Sequence, residues 1–287
     1  MIRPLLRLAA GLSILCSVAA RAQTLEALLA PIVEAELKRA AALPAPPEPW
    51  SREDLLQAAD TSSGPSDPEV LVLSEALLRP QPGDADLRRA RATLWCKLAQ
   101  PARALAELGR ISADAAKSPE SQLLRAKILR FQGDLPAALV AAKAGAVDDS
   151  YYASQAAELA REIEAQLPAW EKSVRPALAR LPSAPAAALA RAAFDCGALN
   201  LAHAAALGVI GREPGDATAR EVLLGIYATL DPDTPALRVA INRRRAPLAA
   251  AYARLHSQDG SAWRNAVFYA AESVTAEGPN DVTFFHN

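Results

Sequence analysis

The chain has 287 residues, with 31 Lys and Arg against 32 Asp and Glu, three Cys, and 51% hydrophobic but only 5% aromatic residues. A charge this close to zero excludes a nucleic-acid grip that works mainly by neutralising phosphates. The low Cys count excludes a disulfide-framed miniprotein, and the apolar share is enough to bury a sizeable core. Alanine dominates that share, which predicts thin, closely spaced helices rather than an aromatic-filled barrel or sandwich.

Residues 1–22 read as a secretory leader. Arg3 and Arg7 give a positive start, Leu8 to Ala20 is an apolar run, and Ala20-Arg21-Ala22 forms an A-x-A cleavage pattern before Gln23. The run is shorter than the roughly 20 residues that span a bilayer, and Cys16 follows Leu15 where an acylated lipoprotein has a small residue. The expectation is a periplasmic or secreted chain, cleaved after Ala22, with no transmembrane segment in the mature form. Cleavage deletes Arg3, Arg7 and Arg21 and no acid, leaving 28 basic and 32 acidic residues, a net charge of -4. Cys96 and Cys196 remain, and on distant repeats they would be unpaired, buried thiols.

From Thr24 to Leu43 the apolar residues Leu25, Leu28, Leu29, Ile32, Val33 and Leu37 follow the helical period, so residues 23–43 predict an amphipathic helix with a bend at Pro31. Pro44-Ala45-Pro46-Pro47-Glu48-Pro49 cannot continue it, and residues 44–50 read as a stiff linker before a main domain at 51–274. The tail 275–287 reads as irregular.

Within the main domain a 34-residue offset carries Leu98–Leu105 onto Gln132–Leu139, Ala92 onto Ala126, Leu94 onto Ile128 and Ala193 onto Tyr227. Pro82-Gly83-Asp84 recurs as Pro214-Gly215-Asp216. Ser118-Pro119-Glu120, Thr234-Pro235, Asp84 and Asp216 supply helix starts. These residues resemble the tetratricopeptide repeat family, a helix-turn-helix unit with small residues where helices touch. The matching positions are Ala190, Gly197, Ala202, Ala206 and Pro214 in one unit, Ala92, Trp95, Ala99, Ala104 and Leu108 in another, and Ala126, Leu129, Gly133, Ala138, Ala142 and Gly145 in a third. The resemblance implies an all-α fold, an α-solenoid of stacked antiparallel helix pairs. Pro168 and Pro176 interrupt one unit, predicting a kink or break near 168–182.

No nucleophile elbow, phosphate loop, zinc motif or calcium loop is present, so the reading is non-enzymatic, with no catalytic residue, metal or cofactor. His203 reads as a packed or surface residue, Trp95 as core, and Asp84 and Asp86 as helix-capping acids. If the family geometry holds, the inner helices line a concave groove with Arg89, Thr93, Lys127, Arg130, Arg191 and Phe194 on its face. Counted from sequence, this face is basic, and it predicts capture of an acidic or carboxylate-terminated peptide by Arg side chains. A second basic cluster, Arg243-Arg244-Arg245 with Arg238 and Arg254, lies towards the end of the chain. The functional expectation is an exported scaffold for protein–protein interaction in a cell-envelope assembly. The partner would be a protein or peptide and not nucleic acid. The competing expectation is a helical glycan-active hydrolase or lyase.

Overall fold

The computed structural model describes residues 24–61, 64–178, 186–230, 234–256, 258 and 260–272; residues 1–22, where a leader is expected, with Cys16, and the tail from 275, with His286, lie outside them. Among the described residues the structure is all-helical, with no strand. The helices are α1 (Leu25–Ala41), α2 (Arg52–Thr61), α3 (Asp67–Leu78), α4 (Ala85–Lys97), α5 (Pro101–Leu108), a single turn α6 (Ala113–Ala116), α7 (Pro119–Gln132), α8 (Leu135–Gly145) and α9 (Tyr151–Ala169). After a π-helical turn (Trp170–Val174) come α10 (Arg175–Leu178), α11 (Ala187–Asp195), α12 (Leu199–Arg212), α13 (Ala217–Thr229), α14 (Pro235–Leu255) and α15 (Gly260–Glu272).

Successive helices pair: α4 with α5, α7 with α8, α11 with α12, and α14 with α15. The first helices of neighbouring pairs also touch, α2 with α4, α4 with α7, and α11 with α13. Alanine is what lets them approach, because its side chain adds only one carbon between two backbones. Ala92, Ala99, Ala104, Ala126, Ala138, Ala142, Ala190, Ala202 and Ala206 are completely buried. The pairs reverse through left-handed residues, Gly133 at φ +97° and Gly197 at φ +74°. Ala99, 34 positions before Gly133, takes φ +54° despite its Cβ, a conformation that costs an L-residue roughly 1–2 kcal/mol.

Helix starts follow capping chemistry. Asp84, Ser118, Asp134, Ser150 and Asp216 each accept a bond from the backbone N–H three residues on. Arg52 grips the cap Asp84 with Nε at 2.7 Å and Nη2 at 3.0 Å, and reaches Asp86 at 2.5 Å. The paired acids of this segment therefore cap and join α2 to α4.

Two features depart from a simple row of pairs. α1 is not set apart by the proline stretch: Leu25, Leu28 and Leu29 join one core cluster and Val33 the other. It packs on α3, α12 and α14, because its buried stripe at i, i+3, i+4 and i+8 needs cover that the linker cannot give. It runs as one helix through Pro31, whose ring lies on the exposed side. Its start is fixed from far along the chain. Asn200 Oδ1 accepts from Glu26 N at 3.1 Å, Glu26 Oε1 accepts from Ala102 N at 3.2 Å, and Gln100 Nε2 donates to Glu26 O at 3.2 Å.

The second departure is at Pro168. Its missing N–H interrupts the helical ladder, and the backbone takes up the fault as the π turn, where Arg175 N bonds Trp170 O. Trp170 and Val174 both point into the core, so within the described residues the chain adjusts its winding at this position and continues as α10.

A buried ionic cluster ties α3, α4 and α5 together. Glu107, 3% exposed, accepts from Arg88 at 2.5 Å and Arg91 at 3.0 Å, and Arg91 continues to Leu71 O at 2.5 Å and Ser74 Oγ at 2.8 Å. Burial pushes the Glu107 carboxyl up, but bonds and charges from Arg88 and Arg91 outweigh it and hold the group below its ordinary range. Arg52 likewise holds Asp84 low. Replacing Glu107 by Ala strands two buried guanidinium groups and is expected to cost about 3–5 kcal/mol in urea unfolding. Both carboxyls have folded values below their unfolded values, so their stabilisation is present above about pH 4 and lost as pH falls through the folded values. The urea midpoint is therefore expected to drop between neutral pH and pH 2 to 3, and to drop less in Asp84→Asn.

Candidate functional site

The first helices of the pairs present one face to a shared trough made of two adjoining depressions, of about 470 and 550 Å³. α2, α4, α7 and α9 line the first with Asp60, Asp86, Arg89, Thr93, Glu120, Lys127 and Tyr152 among others. α7, α9, α11 and α13 line the second with Arg130, Phe131, Glu158, Leu159, Glu162, Phe194 and Thr229. Lys127 and Gln155 belong to both, which makes the trough continuous. Its lining repeats: Asp86 and Glu120, Ala90 and Leu124, and Thr93 and Lys127 are each 34 residues apart. Helical spacing explains each contribution, since Glu120, Leu123, Leu124, Lys127 and Phe131 recur at three and four residues along α7.

Of the six residues expected on a groove, five meet here. Arg89 is half-buried in the first depression, ion-paired with Asp86, and its Nε lies 2.8 Å from Glu120 Oε2 without hydrogen-bond geometry. Thr93 bonds its own helix, donating to Arg89 O at 3.1 Å. Lys127 is exposed where the depressions join and makes no ion pair with a described residue. Arg130 is held from three sides, by Cys196 O at 3.0 Å, Glu162 at 2.8 Å and Gln166 at 3.3 Å. Phe194 lays its ring against Gly225 of α13, where a Cβ would come within 2.6 Å of it. Arg191 is the exception. It lies outside both depressions, exposed on α11 and paired along the helix with Asp195 at 2.9 Å.

These contacts correct the expected basic face. The trough carries five carboxylates, Asp60, Asp86, Glu120, Glu158 and Glu162, against three cations, Arg89, Lys127 and Arg130. Two of those cations already hold carboxylates. Asp60 arrives from α2, and Glu158 and Glu162 from α9, neither of which the spacing of the recognisable units placed on this face. With Tyr152 and Gln155 they are the residues that sequence reasoning missed. Their signal was the helical period of 151–166, which marks a helix but not the side it turns to the trough.

Elsewhere the titratable groups do structural work. His203 Nε2 lies 2.9 Å from Tyr227 Oη in the core, and burial pushes the Tyr227 hydroxyl up to about 12, with Arg244 opposing. Trp95 is core, with Arg103 stacked 4.7 Å from its ring centre. Cys96 and Cys196 are unpaired. No group of three or more His, Cys, Asp or Glu is placed to hold a metal ion among the described residues. No helix among them is long and apolar enough to cross a membrane.

Comparison with protein-family models, with curated proteins and with solved structures finds no match to the chain.

Burial pushes the Cys96 thiol up to about 12, with Lys127 opposing. At pH 8 this leaves roughly a thousandfold less thiolate than a free cysteine has. Iodoacetamide should therefore modify Cys96 very slowly in the folded protein and rapidly in urea, as read by mass spectrometry of the peptide that carries it.

Proposed function

We propose that the protein is an exported scaffold whose helix pairs stack as a tetratricopeptide-like solenoid and whose trough takes up an extended segment of a partner protein. The observation that carries this reading is the continuity of the trough across α2, α4, α7, α9, α11 and α13, with lining positions that recur every 34 residues. Each added pair lengthens such a surface by one unit, which suits a ligand that is itself a repeating chain. The alanine contacts and left-handed turns support the same stacking.

The chemistry of the trough suits binding. Phe131, Leu159 and Phe194 offer apolar contact in the second depression, while Thr93, Tyr152 and Gln155 offer hydrogen bonds along the first. Carboxylates outnumber cations, and Arg89 and Arg130 are engaged, so the favoured segment carries apolar and basic side chains rather than acidic ones. Asp84 and Glu107, whose ionisation is displaced, are held low by arginine. A general acid needs the opposite displacement. The leader is the support for export.

A photo-crosslinking residue placed in cells at Thr93 or Gln155 is expected to capture the same partner chain from both positions. One at Ala144, on the exposed side of α8, is expected to capture none. Combining Glu158→Lys with Phe194→Ala should reduce capture at least tenfold while leaving the helical circular dichroism intact. Equal capture from Ala144, or capture indifferent to the double substitution, would remove the trough from the function.

A further inference from the structure

The hairpin of α14 and α15 is basic, as is the stretch from Ala85 to Gln132, but the two differ in how their charge is met. Between Pro235 and Glu272 there are six Arg residues and two acids, Asp259 and Glu272, a local net charge of +4 within a chain of net -1. Earlier in the chain arginine is commonly matched to carboxylate, as at Arg52, Arg89, Arg91 and Arg130. Arg238, Arg244, Arg254 and Arg264 make no ion pair with a described residue.

The hairpin's geometry turns part of this charge outwards. Ala249 and Ala253 meet Ala262 and Ala266 at its inner seam. Arg245 sets the register, with its guanidinium 3.7 Å from the Tyr269 ring centre and Nη2 2.5 Å from the hydroxyl. On the outer side Arg254, Pro247 and Arg264 are exposed, Val267 is 47% exposed, and Phe268 is half-buried. α15 packs chiefly against α14, so among the described residues no other helix covers this side.

We propose that the outer face of the α14–α15 hairpin docks on an anionic phospholipid surface. Arginines bind lipid phosphates, and Val267 and Phe268 enter the boundary between headgroups and acyl chains. The mixture of features selects this occupant. A second copy would bring two cationic faces together, and a soluble polyanion has no use for an exposed valine set among cations. The surface is separate from the trough and does not depend on the function proposed for it.

The test is co-sedimentation of the purified full chain with phosphatidylcholine vesicles, with and without phosphatidylglycerol. The apolar run 8–20 would favour both kinds equally, so the readout is the difference between them. We expect binding to the acidic vesicles to exceed binding to the neutral ones at least tenfold, and about 0.5 M salt to abolish the excess. Arg254→Glu with Arg264→Glu should abolish the excess. Arg79→Glu with Arg161→Glu makes the same charge change at exposed sites elsewhere and should lower it much less. Several results would overturn the proposal: equal binding to both vesicle types, an excess that survives salt, or equal effects of the two double variants. So would binding of soluble polyphosphate without any excess for acidic vesicles, or self-association that Arg254→Glu with Arg264→Glu abolishes while vesicle binding is absent. Should that variant lose its helical signal, the salt and lipid comparisons on the unaltered chain decide.

Discussion

Helix axes come closest here where alanine stands between them, with Leu, Ile and Val filling the core beside it. A completely buried alanine contributes little transfer energy by itself, of the order of one methyl group or about 0.8 kcal/mol. Its value lies in the backbone approach it permits and in the many dispersion contacts that follow. The same economy bears on the few buried aromatic side chains. Trp95, Trp170 and Tyr227 fill gaps between pairs, where alanine alone would leave voids.

Trough and core are two consequences of one periodicity. A helix that buries one side against its own pair partner and another against the next pair has a third side left over, and in successive pairs these remaining sides line up. On α7 the division is plain: Ala126 and Ile128 go to the core, while Glu120, Lys127 and Arg130 face the trough. The trough's ion pairs are partly exposed, so each stabilises the fold by little. They do something else: they leave Arg89 and Arg130 engaged before any ligand arrives, so that a partner must compete with Glu120 or Glu162 for them. Lys127, with no such commitment among the described residues, is the cation a ligand meets first.

Much of this was legible in the sequence. The offset that relates Ala92 to Ala126 and Ala104 to Ala138 identifies buried positions, and Gly133 and Gly197 identify turns, because small residues and left-handed conformations have direct physical causes. Arg89, Thr93, Lys127, Arg130 and Phe194 could be placed on one surface because the family resemblance implied which helices face inwards and helical spacing gave the positions along them. Arg191 could not, since a position on the right helix does not say which neighbour a long, flexible side chain chooses, and Asp195 lies one turn away. The sign of the trough's charge was also illegible. It depends on α9, which lacks a recognisable second helix and so had no assigned side. The packing of α1 was hidden for another reason: its partners Asn200 and Leu237 are remote, and nothing in the local pattern from Leu25 to Ala41 names them.

That remoteness governs the order in which the molecule can be completed. Asn200, which closes the first turn of α1, stands 174 residues after Glu26, and α14, against which α1 also packs, comes later still. A chain that emerges from its N-terminus can set α1 against α3 early, but α12 and α14, which complete its cover, come only when most of the remaining helices exist. α1 is thus completed late although it is made early, and local pairs such as α4 with α5 and α7 with α8 can form in the meantime.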